Sequence, residues 1–307
     1  MLSLMLNITL KSWLHAARLR TLPLASASII LGSALAYAQQ QFFWTVLVLA
    51  LVTALLLQIL SNLANDYGDA EKGLDDDTRL GPQRAIQAGL LSRQQMLRAI
   101  ISVAGLSIVA GLALLSVSLG NNVTAWLGFI GLGGLSIIAA IAYTMGSKPY
   151  GYRGFGDISV FIFFGLLGVL GSYYLHTHQF DQRVLMLAAA NGLLATAVLN
   201  INNLRDFKPD QQAGKHTLAV RLGEYRARCY HLALVYFALV LFALVTWLQA
   251  PLSLAWLFIL PALALIKVSH AVFVGYQAQD LDQQLQATAK LSFIIALVFS
   301  AGIQISW

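Results

Sequence analysis

Residues 62–77 read NLANDYGDAEKGLDDD. They follow an apolar run and hold six acidic residues, Asp66, Asp69, Glu71, Asp75, Asp76 and Asp77, out of only 13 in the chain. Gln58, Asn62, Asp66 and Asp69 step by four, four and three positions, which predicts one shared helical face. About 140 residues later the arrangement returns: Asn202, Asp206, Asp210 and Gly214 stand as Asn62, Asp66, Asp69 and Gly73 do. Two acidic windows, 62–77 and 202–214, each launched from the end of a hydrophobic helix, predict one metal-dependent site. The site would be shared by two pseudo-related parts of a single domain, residues 1–307.

The surroundings of these windows are apolar to a degree that excludes a soluble fold. Hydrophobic residues make up 58% and charged residues 10%, with a mean hydropathy of +0.72. A soluble domain carries roughly 25% charge, so lipid is the solvent here. Runs near 20 apolar residues are long enough to cross a bilayer, and their backbones must be satisfied internally, as helices. Nine such runs occur, at about 22–40, 43–65, 97–119, 122–145, 156–176, 181–204, 226–248, 251–275 and 288–306. The expected fold is an all-α integral membrane bundle of about nine transmembrane helices.

Basic residues set the expected orientation. With the N-terminus inside, 18 of the 19 Lys and Arg residues fall on the inner side, and only Arg183 falls outside. Both acidic windows then face the cytoplasm, and Trp307 ends the chain outside. The formal charge of +6 is spread over several short loops, a membrane-topology pattern rather than a nucleic-acid surface. No cleavable signal is evident in the first 21 residues. The single cysteine, Cys229, excludes an intrachain disulfide framework.

Carboxylates this close repel one another unless a cation offsets them. Mg²⁺ favours one or two carboxylates, water and substrate phosphate oxygens, so Asp66, Asp69, Asp206 and Asp210 are the candidate metal ligands. Asn62, Asn65, Asn202 and Asn203 add neutral contacts, and the ligand expected is a pyrophosphate group. Three places supply counter-charge. ARLRTLP (17–23) carries Arg18 and Arg20. The glycine-rich loop YTMGSKPYGYRGFGD (143–157) carries Lys148 and Arg153, with glycines that let backbone approach a ligand. Arg205, Lys208 and Lys215 adjoin the second window. The histidines carry weak signals, His216 beside Lys215 being the best placed. Glycines at 128, 131, 133 and 134, and at 165, 168 and 171, read as helix-packing positions, the second set also as room for a lipid chain. No HExxH, GxSxG, Walker A or CxxC pattern is present.

NDYGD…GLD paired with NNLRDFKPDQQAGKHTLAVRLG, together with ARLRTLP and YTMGSKPYGYRGFGDISVFIFFG, resembles the UbiA-type intramembrane aromatic prenyltransferases. Within them the likeness is to the branch acting on 1,4-dihydroxy-2-naphthoate in menaquinone biosynthesis. The four motifs occur in order and span most of the chain. The resemblance implies that Asn65, Asp66, Asp69, Asp206 and Asp210 hold Mg²⁺ and a polyprenyl diphosphate. It also implies ionisation to an allylic carbocation, attack by the naphthoate ring with loss of CO₂, and a bacterial inner membrane. One departure concerns a third Asp of the first motif: its usual position is Gly73 here, with Asp75 two further on. A sister enzyme for another aromatic acceptor is the nearest alternative. A transporter would place its polar groups near the bilayer midplane, whereas these crowd one rim.

Overall fold

The computed structural model describes residues 2–73, 83–249, 251–275 and 278–304; Asp75, Asp76 and Asp77 lie outside them. Among the described residues every regular element is helical. The helices are α1 (Leu2–Ala17), α2 (Leu22–Ala38), α3 (Trp44–Glu71), α4 (Arg93–Ser118) and α5 (Val123–Ala142). They continue with α6 (Gly156–Thr177), α7 (Gln182–Arg205), the short α8 (Phe207–Gln212) and α9 (Leu218–Leu222), α10 (Glu224–Gln249), α11 (Ile259–Val274) and α12 (Ala278–Gln304). Nine stretches among the described residues are long and apolar enough to cross a membrane, as the hydropathy pattern predicts.

Helix starts are fixed locally. Ser92 and Gln95 form a reciprocal capping box at α4, satisfying two backbone donors that a helix start leaves open. Asn122 accepts from the Ala125 N–H at α5, and Asp181 from the Arg183 N–H at α7. Pro23 sits in the first turn of α2, where its missing N–H is harmless.

Two helices run past their apolar segments, and both extensions matter. α3 stays helical through Glu71, so Asp66 and Asp69 stand on its last turns rather than in a loop. α12 begins at Ala278, ten residues before the apolar run. Leu281 and Leu285 are buried there, while Asp282 and Gln286 keep contact with solvent. An amphipathic overhang of this kind is stabilised by packing its apolar stripe, not by propensity.

α7 is the axis of the bundle, packed against α6, α10 and α12. Leu187, Ala188, Ala190 and Ala197 are fully enclosed in the core it shares with them. The middle of α6, Phe161–Leu170, is π-helical. There a Cβ on Gly165 would stand 2.6 Å from the Ala188 carbonyl oxygen, and one on Gly192 2.9 Å from Phe161. The two backbones meet directly, as small residues permit in membranes. Gly128, Gly131, Gly133 and Gly134 differ from the sequence expectation: a Cβ at any of them meets no atom within 4 Å. α5 buries only Ser136 and flanks a cavity instead of packing tightly.

Candidate active site

A cavity of about 700 Å³ runs from one end of the bundle inward between α2, α3, α4, α5, α6 and α7. Its mouth is polar, and both acidic windows reach it. Asp69 and Asn65 come from α3, Asn202 and Asn203 from α7, Asp206 from the α7–α8 junction and Asp210 from α8. Deeper, the lining is Leu57, Leu115, Ile137, Phe163, Phe164 and Leu167. It extends to Ile108, Leu112 and Ile130, each more than 40% exposed, so that end is not sealed by neighbouring helices.

The first acidic motif has two layers. Asp69 faces the cavity, although it is only 2% exposed. It pairs with Arg84, accepts from the Tyr152 hydroxyl and stands 3.5 Å from the Lys215 ammonium. Asp66, 1% exposed, lies one layer behind and does not line the cavity. Its carboxylate accepts from Arg18 at 3.3 Å and from the Ala85 N–H at 3.0 Å, with the Arg84 Nε 3.7 Å away. Asp66 thereby ties the chain before α2 and the segment before α4 to the end of α3. Gly68 makes the tight approach possible: a Cβ there would meet the Thr144 carbonyl oxygen at 2.7 Å.

Asn62 turns its amide to the Ala17 carbonyl at 2.8 Å and the Thr21 hydroxyl at 3.0 Å. It therefore fixes the turn that presents Arg18 and Arg20, while still lining the mouth. Asn65 accepts from the Thr144 hydroxyl at 3.1 Å.

Lys215 joins the two windows. Its ammonium lies 3.5 Å from Asp69, 3.4 Å from Asp210 and 4.6 Å from the centre of the Tyr152 ring. Lys72 approaches the same ring, at 4.8 Å, and donates to the Thr144 carbonyl, so Tyr152 offers its π-face to two cations. Burial lowers the Lys72 pKa. Burial pushes the Asp210 carboxyl up to about 6, with Lys215 opposing the shift and Asp206 adding to it.

The second motif is held by Arg205, whose side chain is 1% exposed. Its guanidinium forks onto both Asp206 oxygens at 2.9 and 2.8 Å, and reaches Asn202 at 2.9 Å and Asp282 of α12 at 2.6 Å. Arg20, at the mouth, also meets Asp282, at 3.4 Å.

Of the residues picked from sequence, the structure gathers Arg20, Asn62, Asn65, Asp69, Asn202, Asn203, Asp206, Asp210 and Lys215 around one cavity. Lys148 and Arg153 are exposed and line no part of it; the Arg153 carbonyl instead accepts from Arg221. Lys148→Ala is therefore expected to change kcat/KM by less than about threefold, the range of an exposed charge. A loss of tenfold or more in the same kinetic comparison would place Lys148 in the site. Sequence reading did not single out Arg84, Thr144 or Asp282. Arg84 sits in a segment without periodicity, and Asp282 belongs to a helical overhang without a motif; neither carries a local signal.

This is a multi-pass membrane protein whose cavity has a charged mouth, crossed by cations and carboxylates from two repeated motifs, and an apolar depth. The chain belongs to the UbiA prenyltransferase family, whose sequence profile matches residues 25–297. The 1,4-dihydroxy-2-naphthoate octaprenyltransferase of Haemophilus influenzae is 47% identical to it over 98% of each chain. The enzyme of that name from Escherichia coli is 49% identical over 96% of each. Among solved structures, a UbiA homologue from Archaeoglobus fulgidus bound to GPP and Mg²⁺ aligns with a TM-score of 0.61 at 17% identity. That alignment covers 95% of this chain and 99% of the other. The apo UbiA homologue from Aeropyrum pernix aligns with a TM-score of 0.63, also at 17% identity, over 95% and 97%. At that identity the likeness is one of fold.

Proposed function

We propose that this protein transfers a polyprenyl group from a polyprenyl diphosphate to 1,4-dihydroxy-2-naphthoate. Pyrophosphate and CO₂ leave, and demethylmenaquinone is formed in its reduced state. The observation that carries the reading is the single cavity, with two acidic motifs and their cations at the mouth and apolar walls beyond. A diphosphate head fits the first part and a prenyl chain the second, while the named relatives support the naphthoate as acceptor.

The donor set suits Mg²⁺. Among the described residues no three acidic, histidine or cysteine side chains converge into a preformed metal cage. Mg²⁺ does not need one, because water and substrate phosphates complete its shell. The Lys215 ammonium marks a place where Asp69 and Asp210 together stabilise positive charge. Asp69, Asp206 and Asp210 would hold the ion, with Asn65 and Asn202 beside them. When bound, it supplies charge that offsets the departing pyrophosphate.

The chain's own groups do the rest. Lys215 and Arg20 present positive charge at the mouth, where charge develops as the allylic C–O bond breaks. Asp66 contributes from behind, by holding Arg18 and the Arg84–Ala85 segment. The apolar walls exclude water from the allylic carbocation. The ring carbon bearing the carboxylate attacks it, and the electron pair of the broken C–CO₂ bond restores aromaticity.

The same reading places the protein in a bacterial inner membrane as one domain, with N-terminus and active site cytoplasmic and C-terminus outside. The one-sided distribution of 18 basic residues supports the orientation. The convergence of both windows on one cavity supports the single domain.

Purified protein in detergent or lipid, given labelled polyprenyl diphosphate and Mg²⁺, is expected to prenylate the naphthoate and to stop when EDTA is added. Product from 4-hydroxybenzoate instead would keep the chemistry and change the acceptor. No product from either acceptor would overturn the reading.

A further inference from the structure

We infer that Asp282, on the overhang of α12, is a positioning residue for the diphosphate end of the site; the inference rests on the proposed prenyl transfer. Asp282 does not line the cavity. It joins two cations that do different things. Its Oδ1 accepts from Arg205 at 2.6 Å, and its Oδ2 lies 3.4 Å from the Arg20 guanidinium. Gln286, one turn further along α12, donates to Oδ2 at 2.8 Å and steadies the carboxylate.

Arg205 is the consequential partner. Four of its hydrogen bonds run to Asp206, Asn202 and Asp282. A guanidinium has five N–H donors in a rigid plane, so its position is set by whatever anchors the far edge. That anchor is Asp282. On the near edge the fork fixes the plane of the Asp206 carboxylate, and Asp206 lines the cavity. A carboxylate held in this way keeps one orientation for a ligand. Partners behind ligating groups commonly change metal affinity or activity 10–100-fold when removed.

Charge favours the same arrangement. Arg205 between Asp206 and Asp282, with Arg20 beyond Asp282, alternates sign along the chain of contacts. Without the Asp282 charge, Arg20 and Arg205 lose the anion between them, and Arg20 loses the contact that holds it at the mouth. The effect belongs to the diphosphate and metal end. Among the described residues the polar contacts of Asp282 run to Arg20, Arg205 and Gln286, away from the apolar part of the cavity where a ring and a prenyl chain would lie.

The test compares Asp282→Asn with the native protein and with Asp181→Asn. Asp181 pairs with Arg183 at the opposite end of α7 and controls for the loss of an ion pair as such. For Asp282→Asn we expect the Mg²⁺ concentration for half-maximal rate and the KM for the diphosphate to rise about tenfold or more. The KM for the naphthoate should stay within about twofold, and Asp282→Glu should recover much of the loss. Titration of the detergent-solubilised proteins with Mn²⁺ plus inorganic pyrophosphate, without turnover, should show the same weakening for Asp282→Asn and none for Asp181→Asn. Unchanged Mg²⁺ and diphosphate requirements, or equal losses for both substrates, would overturn the inference. If Asp282→Asn does not insert stably, Asp282→Glu takes its place, since the carboxylate is then displaced by one methylene and a smaller shift of the same selectivity is expected. Inactivity of the native protein would instead overturn the prenyl-transfer reading, so the two failures are distinguishable.

Discussion

Asp69→Asn is expected to lower kcat by about 10²-fold or more, with the protein still inserted and purified in normal yield. Asp69 is the carboxylate of the first motif that reaches the cavity, and three groups converge on it: Arg84, Lys215 and Tyr152. Asn keeps the shape but removes the charge. Its amide also presents N–H donors to two cations, so the local balance shifts from offset to repulsion. Removing one electrostatic contributor aimed at developing charge commonly costs 10²–10³ in rate, and loss of a carboxylate proposed to hold Mg²⁺ would act in the same direction. Single-turnover prenyl transfer with saturating Mg²⁺ measures it. A rate within threefold of native would remove Asp69 from the chemistry and, with it, the reading of the first motif. Asp66 offers the contrast. It lies behind Arg18 and Arg84, and changing it acts through their positions.

Arg84→Met is expected to lower both stability and activity, the stability by about 3 kcal/mol. Arg84 is 9% exposed and pairs with Asp69 and Asp66, which are 2% and 1% exposed, while also donating to the Asn65 carbonyl. Removing one partner of a buried pair commonly costs 3–5 kcal/mol, because the other charge stays buried and uncompensated. The lower end applies here: Asp66 keeps Arg18 and the Ala85 N–H, and Asp69 keeps Lys215 and Tyr152. Met retains much of the stem volume, so packing loss is small. Unfolding of a large membrane protein is commonly irreversible, so the comparison is the half-life at a fixed temperature in detergent. An unchanged half-life would show that the segment before α4 is anchored without this ion pair.

Much of this protein is legible in its sequence because the bilayer constrains it so strongly. Uninterrupted apolar runs fix the number of spans, since the backbone has no other means of satisfying its polar groups in lipid. The four-residue step of Asn62 to Asp66 and of Asn202 to Asp206 survives as a common helical face, because periodicity along one helix is a local property. The duplicated windows pointed to one site, and one cavity does collect Asp69, Asp206 and Asp210.

Which charge meets which was decided only by the tertiary structure. Lys148 and Lys215 look equivalent in the chain, both basic and both in polar connections. Of the two, Lys215 stands between the motifs, because the Asp210 backbone carbonyl takes the Lys215 N–H at 2.8 Å and turns the segment inward. Asp66 and Asp69 look like twins, yet α3 meets its neighbours on the Asp66 side, leaving Asp69 to the cavity. Arg84 and Asp282 arrive from segments far from the motifs, and their positions depend on how whole helices pack. Sequence alone determined the membrane bundle, the family likeness and the carboxylates. Which of the candidate cations answer them, and that Arg84 joins them, was decided by packing, because an ion pair across helices depends on distances that no local pattern encodes.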